Sequence, residues 1–389
     1  MKPDRARTVS IYVHVPFCVQ KCHYCAFDST ASREITWQEW LQVLLKDIEF
    51  HAHHRDGRNR KIVSIFFGGG TPSLLPPEIL ERILVQIHRF WPLVEPLEIT
   101  LEANPESTTF DKLTQWRSLG INRLSLGVQA MDDARLALLG RPHTSQMARD
   151  AFHAAREAGF TNINLDLITG SPGHTTSQWH DELMQVLALK PQHLSCYALS
   201  VEPGTPLAHN LDHNHLQLPD EDTRDALYFL TQNLLGAHGF ERYEISNYAR
   251  PGFYCRHNRA LWLSGDYVGL GPAAHGKITL ETGAIMRWVN HWPLNDYVQA
   301  LKQDQPPMQW LEISSREEAA ADCLLMGLRL VSGIPRDLYR DIAGHDLVEN
   351  KAREVEFLER EGLLHIDCDT IRFTARGLDF MDSCLLRLI

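Results

Sequence analysis

The first half of the chain alternates short apolar runs with longer amphipathic stretches. Six runs have the length and aliphatic content of strands: Ser10–Val15, Ile62–Phe67, Leu97–Glu102, Arg123–Val128, Asn162–Ile168 and His193–Ala198. Five stretches between them repeat apolar residues at helical spacing: Trp37–Phe50, Pro77–Phe90, Phe110–Leu119, Gln146–Ala158 and Ser177–Leu189. This alternation predicts an α/β fold in which parallel strands are joined by helical crossovers.

Two of the predicted helices have clear end signals. Thr109 precedes the helix Phe110–Leu119 and Ser145 precedes the helix Gln146–Ala158, so we expect both to be N-caps. A glycine follows each helix, as is typical of a C-terminus. A doubly wound sheet and a partial barrel both fit the alternation. Because polar residues follow several different strands, we favour the barrel, which binds ligands at the carboxyl ends of its strands.

The alternation fades beyond about residue 200. A helix is predicted over Glu221–Ala237, and the glycine-rich segment Gly265–Gly276 is expected to return to the barrel. The pair Pro306-Pro307 marks a boundary. We therefore predict the barrel with its extension over residues 1–300 and a second domain over residues 308–389.

The second domain combines helical patterns with two short strand-like segments. Its predicted elements are the helices Arg316–Leu330, Pro335–Asp341 and Leu347–Glu361, the strands Leu363–Asp367 and Thr370–Thr374, and a last helix. Helices followed by a small hairpin are typical of an α+β winged-helix module, and an α-helical cap is the alternative. The acidic net charge favours a protein-docking or lid role over DNA binding.

Composition and charge argue against several classes of protein: those that bind nucleic acid, span a membrane or are secreted. A chain of 389 residues exceeds what one core normally fills, and its net charge of −11 argues against binding nucleic acid. No apolar run approaches the roughly 18 residues of a membrane span. Met1–Arg5 contains no apolar segment, so secretion is not expected. Five of the eight cysteines are scattered, which favours a reducing, cytoplasmic compartment over a disulfide scaffold.

The other three cysteines, Cys18, Cys22 and Cys25, follow the first predicted strand at the spacing C-x3-C-x2-C. Thiolates are the usual ligands of iron–sulfur clusters. Three thiolates can hold three irons of a [4Fe–4S] cube, and an open position on the fourth iron permits chemistry. Unpaired thiols and a zinc knuckle are the alternatives. The chain has no second C-x2-C pair, which argues against zinc.

Further candidates lie where apolar strands end. Gly69, Gly70 and Thr71 belong to a glycine-rich turn, where backbone can approach a ligand closely. This turn lacks the Lys-Ser/Thr ending of a phosphate loop. Four polar residues follow later strands or a turn: Glu102, Gln129, Arg141 and Asp166. A carboxylate in an apolar strand is costly unless it is paired or binds a ligand, and capping of a backbone N–H is the structural alternative.

The cysteine motif resembles that of the radical S-adenosylmethionine (SAM) superfamily. The resemblance implies a partial (β/α)6 barrel, a [4Fe–4S] cluster on Cys18, Cys22 and Cys25, and SAM bound to the open iron. It also implies SAM contacts from the following residues: Tyr12, Tyr24, Gly69, Gly70, Thr71, Glu102, Gln129, Arg141, Asp166 and Ala198. Tyr12 could instead be a core residue, and Ala198 would act only through its backbone.

Longer runs narrow the resemblance to the oxygen-independent coproporphyrinogen III oxidase group. They are VHVPFC at 13–18, FGGGTPS at 67–73, SLGVQ at 125–129, LLGRPH at 138–143 and NLDLI at 164–168. Oxidases of this group have a fourth cysteine where this chain has Phe27, and a long N-terminal extension where only about ten residues precede the first predicted strand. Both departures resemble the haem chaperone branch, whose members bind haem and pass it to respiratory haem enzymes.

A second motif bears on haem. The run His257-Asn258-Arg259-Ala260-Leu261-Trp262 resembles the H-N-x-x-Y-W signature of the haem chaperone branch, with Leu261 in place of the tyrosine. The resemblance implies that His257 is an axial haem ligand, a usual role of imidazole, and that Trp262 stacks on the macrocycle. The structural alternative is that His257 bonds a loop backbone and Trp262 packs in the core.

Three functions compete on these observations. The first, which we predict, is a cytoplasmic haem chaperone that binds haem and a SAM-liganded cluster, delivers haem to respiratory haem proteins and can form a homodimer. The second is a radical SAM enzyme that acts on a porphyrinogen, and the third is a scaffold that needs its cluster only to fold. Complete cluster and SAM motifs argue against the third function, and Phe27 argues against the oxidase. No catalytic residue is assigned.

Overall fold

The computed structural model describes residues 8–31, 34–53, 60–280 and 282–389. The expectation that the protein is not secreted rests on Met1–Arg5, which lie outside these ranges. In the described part of the chain, buried apolar side chains form two clusters, one around the large sheet and one within the C-terminal elements. No helix in these ranges combines the length and apolar character needed to cross a bilayer.

Six parallel strands form the centre of the molecule and lie side by side in chain order. They are β1 (Thr8–Val15), β2 (Lys61–Gly69), β3 (Leu93–Ala103), β4 (Arg123–Gln129), β5 (Ile163–Thr169) and β6 (His193–Ala198). Each strand pairs in parallel with the next. A doubly wound sheet would reverse its strand order at a switch point, so the sequential order confirms the predicted partial (β/α)6 barrel.

Amphipathic helices join consecutive strands. They are α1 (Trp37–His53), α2 (Pro77–Phe90), α3 (Phe110–Ser118), α4 (Asp133–Leu138), α5 (Ser145–Glu157) and α6 (Thr176–Ala188). In α2 the residues that belong to the larger core recur at helical spacing: Ile79, Leu80, Ile83, Leu84 and Ile87. Burial of such faces removes apolar surface from water, which is the dominant driving force for this fold.

The helix ends agree with the prediction at α3 and differ from it at α5. Thr109 caps α3, because its side chain accepts a hydrogen bond from the backbone N–H of Lys112. The predicted cap Ser145 is instead the first residue of α5, so that prediction is wrong. Thr144 is the cap, because its backbone is extended and its side chain accepts from the N–H of Met147.

The segment after β6 extends the sheet at both edges. Its elements are α7 (Pro206–Asp212), α8 (Glu221–Ala237), β7 (Glu241–Arg242), β8 (Asn247–Ala249), α9 (Arg256–Trp262), β9 (Tyr267–Leu270), β10 (His275–Thr279), β11 (Ile285–Asn290), α10 (Leu294–Lys302) and β12 (Met308–Ser314). Strand β8 pairs antiparallel with β6, and β9 pairs parallel with β1. The glycine-rich segment Gly265–Gly276 therefore returns to the barrel as expected. Strand β12 follows Pro306-Pro307 and pairs with β11 in the large sheet.

The C-terminal elements combine helices with a small antiparallel sheet. They are α11 (Arg316–Gly327), β13 (Ile334–Pro335), α12 (Arg336–Ala343), α13 (Leu347–Asn350), α14 (Ala352–Arg360), β14 (Leu364–Ile366), β15 (Thr370–Phe373), α15 (Ala375–Asp379) and α16 (Met381–Leu388). This α+β composition agrees with the predicted fold class. The helix predicted over Leu347–Glu361 is interrupted at Lys351, because φ −123° and ψ 38° leave the helical region.

Candidate functional site

A cavity of about 640 Å³ opens where the parallel strands end at their carboxyl termini. Small-molecule sites typically have volumes of about 300–1,000 Å³. The cavity is lined by the predicted cluster and SAM residues other than Tyr12: Cys18, Cys22, Tyr24, Cys25, Gly69, Gly70, Thr71, Glu102, Gln129, Arg141, Asp166 and Ala198. The topology explains their common position, because the carboxyl ends of parallel barrel strands all face the same side.

The three cysteines lie on the loop that follows β1. This loop is anchored to the rest of the barrel by a hydrogen bond of 3.0 Å from the His23 N–H to the Leu139 carbonyl. Cys18, Cys22 and Cys25 are partly buried free thiols. Burial, and then the two neighbouring thiols, raises the pKa of Cys25. Three unpaired thiols on one anchored loop are a donor set that fits an iron–sulfur cluster, whose irons would balance the charge of the thiolates.

The turn after β2 requires glycine for steric reasons. Gly69 has a φ of +108°, and a Cβ at this position would lie 2.6 Å from the ring of His14. A Cβ on Gly70 would lie 2.7 Å from the Phe17 carbonyl oxygen and 3.1 Å from the Cys18 Sγ. The turn therefore packs tightly against the cysteine loop, and this packing accounts for both glycines without a ligand.

Arg141 links the cysteine loop to the end of β3. Its Nη2 donates to the Asn104 Oδ1 at 2.6 Å, and its Nη1 lies 3.5 Å from the Cys22 Sγ. Asn104 also donates to the Thr71 Oγ1 at 3.3 Å. Asn104 was not among the residues predicted from the sequence. The signal that could have identified it is its position as a polar residue directly after β3, close to Glu102.

Glu102 and Asp166 face the cavity from β3 and β5. Asp166 accepts hydrogen bonds from the Ser125 Oγ at 3.0 Å and the Asn164 Nδ2 at 2.8 Å. Burial, and then the charge of Asp166, raises the pKa of Glu102 to about 8, and burial raises the pKa of Asp166. The pair therefore retains a proton at neutral pH. A carboxyl and a carboxylate side by side can donate to and accept from the hydroxyl groups of a ligand.

A second cavity, of about 250 Å³, lies nearer the amino ends of the strands, and we call it the lower cavity. Arg123 and Asn164, which stand at the starts of β4 and β5, belong to its lining. Tyr12 and His257 line the lower cavity rather than the larger one. The two cavities adjoin, because four residues line both: Glu102, Ser125, Asp166 and Tyr197.

His257 is buried on α9, beside the lower cavity. Its backbone N–H donates to the Glu98 Oε1 at 3.0 Å, and its Nδ1 lies 3.0 Å from the Ser64 Oγ. Because Ser64 donates its hydroxyl hydrogen to the Ser10 Oγ at 2.9 Å, it accepts from Nδ1–H, and Nε2 carries the imidazole lone pair. Burial, and then Arg123, lowers the pKa of His257 to about 3, so the ring is neutral.

Trp262 ends α9 and is absent from the described lining of both cavities. The guanidinium of Arg329 lies 5.8 Å from the centroid of its ring. Among the described residues, the buried indole Nε1 has no hydrogen-bond partner. The structure therefore places His257 beside the barrel interior and does not bring Trp262 to the same cavity.

Comparisons with known families agree with this architecture. The family model of the Radical SAM superfamily matches residues 12–185, and that of the HemN C-terminal domain matches residues 314–380. The solved structure of the coproporphyrinogen III oxidase HemN from Escherichia coli covers 100% of this chain and 91% of its own, with a TM-score of 0.84 and 22% identity. At that identity the likeness shows the fold alone.

Several similar proteins cover nearly the whole chain. The heme chaperone HemW of Escherichia coli (strain K12) is 35% identical over 97% of each chain. The heme chaperone HemW of Bacillus subtilis (strain 168) is 32% identical over 95% of this chain and 96% of its own. The heme chaperone HemW of Mycobacterium tuberculosis (strain ATCC 25618 / H37Rv) is 33% identical over 100% of this chain and 97% of its own. Because such identity extends over almost the full length, the chain belongs to the radical SAM superfamily and, within it, to the HemW family.

Proposed function

We propose that this protein is a cytoplasmic haem chaperone that binds haem as cargo and passes it to respiratory haem proteins. The observation that carries the proposal is the full-length similarity to proteins named heme chaperone HemW. The net charge of −11 disfavours contact with anionic lipid, so delivery to a membrane complex goes through a protein partner. We also propose that the protein can form a homodimer, which light scattering on the haem-loaded protein tests.

Cys18, Cys22 and Cys25 would hold a [4Fe–4S] cluster that SAM completes. When bound, the cluster and SAM together supply one-electron reductive chemistry. The residues of the protein would bind SAM and orient it. The Arg141 guanidinium, fixed by Asn104, suits a carboxylate of SAM. Glu102 and Asp166 suit hydroxyl groups or a positive charge, and the other proposed SAM contacts are Tyr12, Tyr24, Gly69, Gly70, Thr71, Gln129 and Ala198.

Phe27 supports the chaperone over the oxidase. Its side chain is 68% exposed and contributes to the lining of the larger cavity, where the oxidase group has a fourth cysteine. A phenyl ring cannot ligate iron, so the chain lacks the fourth thiolate that this resemblance would require. The exposed aromatic face instead provides apolar surface at the mouth of the cavity, which suits a hydrophobic cargo.

His257 is the proposed axial ligand of the haem iron. Its imidazole is neutral and its lone pair is on Nε2, which is the form that ligates iron. The lower cavity, at about 250 Å³, falls below the usual range for a drug-sized ligand. Ligation by His257 therefore requires α9 to move away from β2, against which it packs. Trp262, at the end of the same helix, is the proposed stacking partner of the macrocycle.

Haem titration of the anaerobically reconstituted protein tests the proposed function. We expect saturable binding with a shifted Soret band, and a change of that band in His257→Ala. His180→Ala, which alters an exposed histidine on α6, is the control and should bind as the wild type does. Absence of saturable haem binding would overturn the chaperone assignment. An unchanged Soret band in His257→Ala would overturn only the choice of ligand.

A radical SAM enzyme that acts on a porphyrinogen is the second candidate, because the complete set of predicted cluster and SAM residues other than Tyr12 surrounds one cavity. The reconstituted protein is incubated with SAM, reductant and coproporphyrinogen III, and products are separated by chromatography. We expect no protoporphyrinogen. Turnover at a rate proportional to the cluster content would replace the chaperone by the enzyme as the main function.

A further inference from the structure

Arg123 is a buried cation at the start of β4 that no part of the proposed function uses. Its side chain lines the lower cavity, and the residue is only 2% exposed. Among the described residues, none forms a hydrogen bond or salt bridge with its guanidinium, and its Nε is buried without a partner. Burial disfavours the charge of Arg123, and neighbouring groups, among them Glu98 and Asp166, outweigh this cost and raise its pKa. The charge is balanced without direct contact, so the N–H donors of the guanidinium are available to an anionic ligand.

Other buried arginines of this chain are paired, which makes Arg123 unusual. The Arg135 Nη2 lies 2.7 Å from the Glu182 Oε1 in a buried salt bridge. The Arg60 Nη1 lies 2.5 Å from the Asp266 Oδ2. These two buried guanidinium groups therefore have counter-ions in direct contact, and Arg123 has none among the residues that the structure describes.

Two carboxyl groups near Arg123 accept hydrogen bonds from other donors. Arg123 interacts electrostatically with Glu98 and Asp166. Glu98 accepts the backbone N–H groups of Arg256 at 3.1 Å and His257 at 3.0 Å. Asp166 accepts hydrogen bonds from the Ser125 hydroxyl and the Asn164 amide. Among the described residues, neither carboxyl group accepts a hydrogen bond from the guanidinium, and Arg123 lines the lower cavity.

The rest of the lower cavity suits one anionic group. Its wall contains neutral hydrogen-bonding side chains, among them those of Asn258, Ser195 and Tyr12. His257 is neutral for the reasons given above, and Glu102 holds a proton at neutral pH because burial and Asp166 raise its pKa to about 8. Asp166 also lines this cavity and carries the remaining carboxylate, whose oxygens accept from Ser125 and Asn164. The Arg123 guanidinium is therefore the charged group of the wall whose donors have no hydrogen-bond partner among the described residues, and its fork of donors matches a carboxylate.

We propose that the lower cavity is a carboxylate subsite in which Arg123 binds one propionate of the haem cargo. This inference rests on the proposed function, which supplies a ligand with carboxylates on flexible arms. The cavity adjoins the larger one through Glu102, Ser125 and Asp166, so an arm can enter from there, and the macrocycle reaches His257 only when α9 moves as proposed above. A volume of about 250 Å³ admits such an arm, and it is too small for the macrocycle itself.

A comparison of two ligands on the wild-type protein tests the subsite without a mutation. Haem and its dimethyl ester are titrated in the same detergent, and binding is followed by the Soret band. We expect the ester to bind about 10- to 100-fold more weakly, because it loses one charge-assisted hydrogen-bonding interaction with Arg123. Equal affinities would overturn the subsite and leave the chaperone intact, whereas failure of both ligands to bind would overturn the proposed function.

Substitutions then test whether the preference for haem over its ester depends on Arg123. Arg123→Met should bind haem and its ester equally, with the Soret position of the wild type, and Arg123→Lys should recover part of the preference for haem. The control Arg135→Met, which breaks a salt bridge outside both cavities, should keep the full preference. A wild-type preference in Arg123→Met would overturn the assignment. If Arg123→Met does not fold, the ester comparison on the wild type and on Arg123→Lys still tests whether Arg123 binds a propionate.

Thermal unfolding separates a binding role from a structural one. Arg123 interacts with its neighbouring carboxyl groups without direct contact, whereas Arg135 forms a direct buried salt bridge. We therefore expect the Tm of ligand-free Arg123→Met to fall less than that of Arg135→Met, which should fall by several degrees. A fall in Arg123→Met as large as in Arg135→Met would show that Arg123 has a structural partner and would overturn the inference.

Discussion

The Nη2 atom of Arg141 lies 2.6 Å from the Oδ1 atom of Asn104, in a charge-assisted hydrogen bond between two residues that line the larger cavity. The same guanidinium reaches the Cys22 Sγ at 3.5 Å. Burial and these neighbours hold the group in one orientation beside the cysteine loop. A positive charge fixed in advance loses little entropy when a ligand carboxylate arrives.

Replacement of Arg141 by Met should therefore weaken SAM binding without loss of the cluster. One charge-assisted interaction corresponds to about 1.5–3 kcal/mol, or roughly a 10- to 100-fold higher Kd. Binding is measured by equilibrium dialysis with SAM and by the change that SAM causes in the EPR spectrum of the reduced protein. Arg224→Met on the exposed face of α8 is the matched control. Wild-type affinity in Arg141→Met would exclude this role.

Cys22→Ser should lose most of the bound iron and sulfide, because an alcohol is a poor substitute for a thiolate ligand. Haem binding should persist, since the proposed iron ligand His257 and the proposed propionate partner Arg123 line the lower cavity rather than the cysteine loop. Iron and sulfide analysis after anaerobic reconstitution, followed by haem titration, measures both. Cys368→Ser, at an exposed thiol, should retain both properties. Loss of haem and cluster together in a folded Cys22→Ser variant would place them in one site.

The stability of the ligand-free protein should depend on pH through Glu102. Its pKa is about 8 in the folded protein and about 4.5 when unfolded, so between these values the unfolded chain binds fewer protons. The stabilisation is complete below pH 4.5 and is lost as the pH rises through about 8. We expect the Tm of the wild type to fall relative to Glu102→Gln between pH 5 and 8.5. A difference in Tm that stays constant over this range would contradict the raised pKa.

Asp346 should anchor the C-terminal elements. Its carboxylate accepts from the Arg336 Nε at 2.8 Å, the Arg340 Nε at 2.5 Å and the Val348 backbone N–H at 2.9 Å. Asp346→Ala leaves these donors unpaired, and we expect a loss of about 1.5–3 kcal/mol in the free energy of unfolding, measured with urea. Arg340→Met, at a half-exposed partner, should cost only about 0.2–1 kcal/mol. Equal losses in the two variants would argue against a central role of Asp346.

The stabilisation of the folded protein by Asp346 should be lost at acid pH, whereas that by Glu102 should be lost at alkaline pH. Hydrogen bonds from Arg336 lower the pKa of Asp346 to about 2, below its ordinary value of 3.8. Its stabilisation is therefore present above pH 3.8 and is lost as the pH falls through about 2. The gap in unfolding free energy between the wild type and Asp346→Ala should narrow only at these acid pH values.

Local patterns predicted much of the fold and much of the lining of the larger cavity. Strand β6 and helix α2 have the predicted bounds, because hydrophobic periodicity depends on neighbours along the chain. Thr144 and Ser145 show the limit of such patterns, since either side chain could cap α5 and only the backbone geometry selects Thr144. The break at Lys351 was not predicted, because a lysine is common within helices. Asn104 was missed although it is a polar residue directly after β3, because its contact with Arg141 depends on residues far apart in the chain.

The amino-acid sequence by itself determined the order of strands and helices, the cysteine spacing and the polar residues at strand ends, because these are properties of short segments. Tertiary structure alone decided that Arg123, Tyr12 and His257 line one cavity and that Trp262 does not. It also decided that, within the described part of the chain, Arg123 has no counter-ion in direct contact, whereas Arg135 does. The physical reason is that burial, cavities and charge pairing arise between residues far apart in the chain, which the fold brings together only when its helices pack around the sheet.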